Sequence, residues 1–220
     1  MRTKKNGYRM IGDPEKQKSM PKRGRPALSE DEFSGRRAEI AAVALQLFKE
    51  EGFASVSMRR LGKEVGLTPM ALYRYFPSKL EILSILWSYI LGEAFNDVAI
   101  AVYLVQGPED KLRSASNAYV GYWFRSVEHY QLVFMNSGIT NTDVTSFVSQ
   151  GSVVDAYEVF FENMAQALKL PRSHEQVKTS TDSLVCHLHG IMHSLITMQG
   201  YDWTARESLV ELAVANAIGH

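Results

Sequence analysis

Between Ile40 and Ile82 the chain meets Gly52, Gly66, Pro69 and Pro77, residue types that end or redirect helices. No long helix survives that spacing, so the stretch must fold as short segments joined by tight turns. Each segment nevertheless keeps a helical apolar period. Ile40, Val43, Ala44, Leu47 and Phe48 recur at i, i+3, i+4, i+7 and i+8, and Gly52 is placed to cap that first helix in a left-handed conformation. Ser57 opens a second helix whose Met58, Leu61 and Val65 share a face, and Gly66 stops it. Thr68 is the N-cap and Pro69 the first-turn residue of a third helix. Pro77 ends it, because proline biases Phe76 away from helical geometry. Ser78 restarts a helix at once, with Glu81 three residues on to complete a capping box.

That fourth helix is expected to reach about Val105, where "QGPED" breaks it. Periodicity predicts further helices over 109–127, 129–136, 144–169, 174–199 and 204–217, separated at "SGITN", "LPRS" and "GYDW". No sustained apolar/polar alternation bounded by hairpin dipeptides suggests a strand. The expectation is an all-α chain of about nine helices. Three short helices with a glycine-containing turn between the last two are the helix-turn-helix arrangement, here over residues 31–79. Residues 1–30 form a basic extension before it, and residues 80–220 a larger helical domain after it.

Charge separates along the same boundary. Residues 1–80 carry 17 Lys and Arg against 9 Asp and Glu, whereas residues 81–220 carry 7 against 15. Only the first part is suited to a polyanion. The single cysteine, Cys186, excludes an internal disulfide and fits a reducing cytoplasm. The N-terminus lacks the apolar stretch of a secretory signal. The run "ILSILWSYIL" meets Glu93 and Asp97 short of the roughly 18 apolar residues of a spanning helix, so no membrane segment is expected. No nucleophile elbow, phosphate-cradling glycine loop or metalloprotease motif is present, so neither an enzyme nor a cofactor is expected. Cys186, His189 and His193, at i, i+3 and i+7, have soft-metal chemistry. Without a second ligand cluster they read as packing and hydrogen-bonding residues, and no metal is expected.

The third helix has two distinct sides on a wheel of 100° per residue. Pro69, Leu72 and Phe76 form an apolar side suited to packing on the first two helices. Met70, Ala71 and Arg74 lie opposite, with Tyr73 and Tyr75 on the flanks. That cross-section suits a major groove, with Met70, Ala71 and Arg74 toward base edges and a phenol toward each phosphate wall. Half-buried tyrosines and a solvated arginine are the plainer reading of one isolated helix. The capped helix before it and the basic first third favour the groove.

Residues 41–83, "AAVALQLFKEEGFASVSMRRLGKEVGLTPMALYRYFPSKLEIL", resemble the DNA-binding domain of TetR-type transcriptional repressors. The Ala-Ala…Leu-Phe helix, the Gly-Phe turn, the hydroxyl-capped second helix and the "LY-x-H/Y-F-x-x-K" pattern occur in the family's order. The resemblance implies a phosphate contact for Ser57, a base contact for Arg59 and a capping role for Thr68. It implies phosphate contacts for Tyr73, Tyr75 and Lys79. Gly62 replaces the usual alanine and is expected to loosen the second helix; Tyr75 replaces the common histidine.

The resemblance also implies that residues 80–220 bind a small-molecule effector and dimerise. "NAYVGYWFRSVEHYQLVFMN" is similar to an aromatic-rich helix pair of one TetR subgroup, with His129 where proline is common, and "HLHGIMHSL" to its later His-Gly helix. Candidate pocket residues are Tyr119, Tyr122, Trp123, Phe134, Met135, Tyr157, Phe161 and His189, each equally suited to an ordinary helical core. Around Leu184 the wheel places Leu188, Ile191 and Leu195 on one apolar face. Val185, Met192 and Ile196 lie about 100° away. So apolar a helix needs cover on more than one side, from its own core and from a partner subunit or pocket.

The expected function is a ligand-responsive repressor that binds a palindromic operator in double-stranded DNA as a homodimer and is released by a small-molecule inducer. The alternatives are an architectural protein coating A·T-rich DNA and, with less support, an enzyme. Arg23, Gly24, Arg25 and Pro26, within "PKRGRPAL", resemble the core of an AT-hook, which lies in the narrow minor groove of A·T-rich DNA. A basic tail held by charge alone is the other reading. Arg23→Ala with Arg25→Ala will make the salt dependence of binding shallower under either reading. Binding to operators with A·T-rich and G·C-rich flanks distinguishes them, because the guanine amino group obstructs the groove floor. The hook reading requires the larger loss on A·T-rich flanks; equal losses would leave only the tail.

Overall fold

The structure, a computed structural model, describes residues 29–148 and 156–219. Arg23, Gly24, Arg25 and Pro26 lie outside the described residues. Ten helices occur among those described: α1 Glu30–Glu51, α2 Met58–Glu64, α3 Pro69–Tyr73, α4 Lys79–Tyr103, α5 Pro108–Arg125, α6 Val127–Phe134, α7 Asn141–Val148, α8 Glu158–Leu168, α9 Glu175–Thr197 and α10 Arg206–Ile218. There is no strand among the described residues. The all-α expectation holds, with one difference in the second half. The single helix expected over 144–169 is instead α7 and α8, and Tyr157 precedes α8 as a turn residue.

Hydroxyl caps set the starts of the first four helices. Ser29, Ser57, Thr68 and Ser78 each accept a hydrogen bond from a backbone N–H in the first turn. The reciprocal capping box forms at Ser29 with Glu32. At Ser78 the Glu81 carboxylate does not reach back, because the Arg37 guanidinium holds it at 2.9 Å. Gly52 ends α1 with a positive φ of 80°, but its ψ of 145° is extended and not the left-handed helical value expected for it.

α1, α2, α3 and the start of α4 enclose a core that includes Ile40, Leu47, Phe48, Leu61, Leu72, Phe76 and Ile82. α2 and its following turn approach unusually closely. A Cβ at Gly62 would stand 2.8 Å from the Leu67 carbonyl oxygen, and the Leu67 N–H donates to the Gly62 carbonyl at 2.8 Å. Gly62 therefore permits a tight turn, an effect separate from the looser second helix expected from glycine's propensity.

α4 runs from this unit into the rest of the chain and packs along α5. By length and mean hydropathy α4 is apolar enough to cross a membrane, which the run from Ile82 did not foretell. Its inner face is nevertheless core: Ile82, Leu83, Leu86, Trp87, Ile90, Leu91, Ala94 and Val98 are buried. Its carboxylates also have protein partners, Tyr122 for Glu93 and Arg125 for Asp97. The buried Trp87 indole N–H donates to the Leu132 carbonyl at 3.0 Å and fastens α4 to α6. In α9 the inward column is Leu184, Leu188, Met192 and Ile196, every fourth residue, while Ile191 and Leu195 are only half-buried.

Replacing Gly62 with alanine sets two terms against each other. Helix propensity favours alanine by about 1 kcal/mol. Overpacking against fixed backbone costs roughly 1–3 kcal/mol. Gly62→Ala is expected to lower the urea unfolding midpoint, and an unchanged or raised midpoint would show that the turn yields without cost.

Candidate nucleic-acid interface

The N-terminal helices present one continuous polar side. α2 begins with Ser57, whose Oγ accepts from the Arg60 backbone N–H at 3.1 Å. α3 begins with Thr68, whose Oγ1 accepts from the Ala71 N–H at 3.2 Å. Each hydroxyl keeps its own O–H to donate outward. Leu72 and Phe76 are fully buried against α1 and α2, so the opposite side of α3 faces solvent. Met70 is 82% exposed and Tyr73 49% exposed, Thr68 and Arg74 are exposed, and Ala71 is half-buried. Pro69, expected to pack inward, is exposed. In so short a helix it sits at the open N-terminal end.

Beside α3, a shallow depression is lined by Ser57, Arg59, Arg60, Lys63, Leu67 and Pro69. Arg59 and Lys63 are exposed, whereas Arg60 spends its charge on Glu51 at 2.8 Å and Glu64 at 2.5 Å. Lys63 was not singled out in the sequence, although its i, i+4 spacing from Arg59 is the signal that would have found it.

Two expected contact residues are engaged within the chain. The Tyr75 ring is half-buried and stacks on Phe33 of α1, with centroids 4.9 Å apart. The Lys79 ammonium donates to the Phe53 carbonyl at 2.5 Å and lies 4.1 Å from the centre of the Phe53 ring. Partial burial lowers its pKa. An ammonium has three donors, so this bond leaves capacity for a second acceptor.

Sequence reasoning missed Arg36 and Arg37 on α1. Arg36 donates to the Val65 carbonyl at the end of α2, at 2.8 Å. Arg37 donates to the Tyr75 carbonyl just past α3, at 2.6 Å. Both helix ends thus gain a cation at the negative pole of their backbone dipoles. Nothing in the local spacing marks these arginines, because their partners lie 29 and 38 residues away.

In the second half, the expected pocket residues divide. Tyr119, Trp123, Phe134, Tyr157 and His189 come together. The Tyr119 and Tyr157 hydroxyls are 2.7 Å apart and approach His189 Nε2 at 3.2 and 3.4 Å. Burial raises the pKa of both phenols and lowers that of His189, so the group is uncharged near neutral pH. Phe134 meets His189 edge-on at 4.9 Å and Trp123 at 5.0 Å. Tyr122 turns aside, donating to Glu93 at 3.0 Å and lying 2.9 Å from His129 Nδ1. Met135 lies instead in a cleft with Phe48, Phe53 and Leu132, and Phe161 lies under the Arg172 guanidinium at 4.0 Å. Cys186 is exposed in an outer groove with His187 and Gly190, apart from the inward-facing His189. No metal-holding group of His, Cys, Asp and Glu occurs among the described residues.

Residues 40–84 match the family described as bacterial regulatory proteins, tetR family. The chain is 25% identical over 113 residues to the HTH-type transcriptional activator FasR of Mycolicibacterium smegmatis, covering 51% of this chain and 52% of that protein. It is 32% identical over 91 residues to the nucleoid occlusion factor SlmA of Mannheimia succiniciproducens, covering 41% and 40%. These matches span about half or less of the curated relatives' length. A solved TetR/AcrR regulator from Thermobifida fusca shares the fold, with a TM-score of 0.58, 17% identity, and coverage of 84% of this chain and 97% of that one. Residues 40–84 thus carry the helix-turn-helix segment described for tetR-family regulatory proteins, and the chain shares its fold with a solved TetR/AcrR regulator.

Proposed function

We propose that the protein is a ligand-responsive repressor that binds a palindromic operator as a homodimer and acts in the cytoplasm. Residues 31–79 are its DNA-binding domain, and residues 80–220 its effector-binding and dimerisation domain. The observation that carries the reading is the two-sidedness of α3, with Leu72 and Phe76 buried while Met70, Tyr73 and Arg74 are exposed. Met70, Ala71 and Arg74 read base edges, and Ser57, Tyr73 and Lys79 hold phosphates. Arg59 reaches a base from α2, and Thr68 fixes the start of the helix.

Dimerisation is supported by the outer face of α9 and α10. There Ile191, Leu195, Trp203 and Leu209 line an open apolar groove, and Leu212 is exposed. Two-fold protein symmetry imposes an inverted repeat on the operator. Effector binding is supported by the uncharged Tyr119–Tyr157–His189 group and by the buried Trp123 indole N–H, which makes no hydrogen bond of full geometry among the described residues.

A second reading has its own observation, the relative named as a nucleoid occlusion factor. In that reading the protein binds DNA for an output other than transcription. Selection of bound fragments from random DNA, followed by a reporter placed behind the selected site, separates the two. The repressor reading requires an inverted repeat and a reporter that falls when the protein is supplied. Sites with no inverted repeat would sink it.

The face assignment is tested by two variants. Tyr73→Phe is expected to weaken binding to all sequences alike, by about 1 kcal/mol for one phosphate hydrogen bond. Arg74→Ala is expected to relax preference at one base pair per half-site, costing roughly 1–3 kcal/mol. A uniform effect from both would reverse the assignment.

A further inference from the structure

The corner between α3 and α4 is closed by a single side chain from α1. Pro77 prevents α3 from continuing, so the Tyr75 carbonyl receives no donor from a next helical turn. Arg37 supplies one at 2.6 Å through Nη1. Its Nη2 donates to Glu81 Oε1, in the first turn of α4, at 2.9 Å. The same guanidinium lies 4.4 Å from the centre of the fully buried Phe76 ring. One rigid planar group therefore touches α1, the end of α3 and the start of α4.

The far part of α4 is equally fixed. Trp87, Glu93 and Asp97 tie it to Leu132 of α6 and to Tyr122 and Arg125 of α5. A displacement of this helix moves Glu81, and Glu81 is held to Arg37.

We infer that Arg37 is a positioning residue for DNA recognition, setting the angle of α3 against α4 without touching DNA. This rests on the reading that α3 enters a groove. Lysine has a compact charge on a flexible stem and cannot reproduce a planar fork that serves a carbonyl, a carboxylate and a ring together. The effect should fall on selective binding. Non-specific binding depends on phosphate charge and tolerates an altered helix angle.

The experiment compares full-length wild type, Arg37→Lys, Glu81→Gln and the double variant, measuring affinity for a selected operator and for unrelated DNA over a range of salt. Circular dichroism melting gives the folded fraction of each. Arg37→Lys is expected to lose about 10-fold on the operator, the scale of one charge-assisted hydrogen bond, and less than about 2-fold on unrelated DNA. Its log–log salt slope should match wild type. Glu81→Gln, a near-isosteric change on a partly exposed side chain that leaves the fold intact, should lose in the same direction. The double variant should lose no more than Arg37→Lys, because the two act as one unit.

Equal losses on both DNAs would reduce Arg37 to a structural role and overturn the inference. Arg37→Gln, which removes the charge, should likewise keep the wild-type salt slope; a slope shallower by about 0.9 for each lost arginine would make Arg37 a phosphate contact instead. Unchanged operator affinity in both single variants would likewise overturn it. A wild type with no sequence preference would refute the recognition reading itself, an outcome distinct from any of these.

Discussion

A helix of five residues has too few internal hydrogen bonds to persist alone, so α3 exists only because its neighbours hold it. Three kinds of contact do so. Thr68 satisfies its first turn, and Leu72 and Phe76 bury its inner side. α1 then reaches across with two adjacent arginines, one to the end of α2 and one to the residue past α3. The first contact fixes where the helix starts and the second which way it faces. The arginines fix its direction, because each binds a backbone carbonyl that cannot swing independently of the chain. The proposed reading surface of α3 thus depends on residues that need not approach DNA.

The close approach at Gly62 belongs to the same problem. α2 and α3 can be presented together only if the turn between them is compact. Here α2 lies so near that the Leu67 carbonyl occupies the space a side chain would need. Glycine costs α2 about 1 kcal/mol of helix propensity, and the shorter turn is what that cost permits. The family pattern, with alanine at this position, does not reveal this, because it compares residue types and not the distance between two backbones.

Local chemistry was legible in the sequence. Ser57, Thr68 and Ser78 cap the helices they were expected to cap, and Gly52 takes its positive φ, because each signal concerns partners within a few residues. Partnerships across long separations were not legible. Glu81 looked like half of a capping box, and only the folded chain brings Arg37 to compete for it. Tyr75 has the spacing of a contact residue and the environment of a packing one, with Phe33 beneath it. The wheel of α9 found an apolar helix but not its orientation. Leu184 and Leu188 point inward as the wheel suggests, while Met192 and Ile196 complete the column in place of Ile191 and Leu195. Among the aromatic residues, composition could not separate Tyr119 and Tyr157, which share a histidine, from Phe161, which lies under Arg172.

The ion pairs also revise where the positive charge resides. Residues 1–80 have an excess of cations, yet residues 29–80 hold 8 Lys and Arg against 7 Asp and Glu, so nearly all the excess lies in residues 1–28. Among the described residues, Arg36, Arg37 and Arg60 are each paired with a carboxylate. Arg59, Lys63 and Arg74 are the exposed cations nearest the proposed reading surface. Long-range attraction to a polyanion scales with net charge, whereas discrimination between sequences depends on side chains held at fixed positions. The two tasks therefore separate along the chain. Under the proposed function, most of the attraction belongs to the N-terminal 28 residues, and the discrimination to a nearly neutral helical unit in which Arg36, Arg37 and Arg60 are paired with carboxylates.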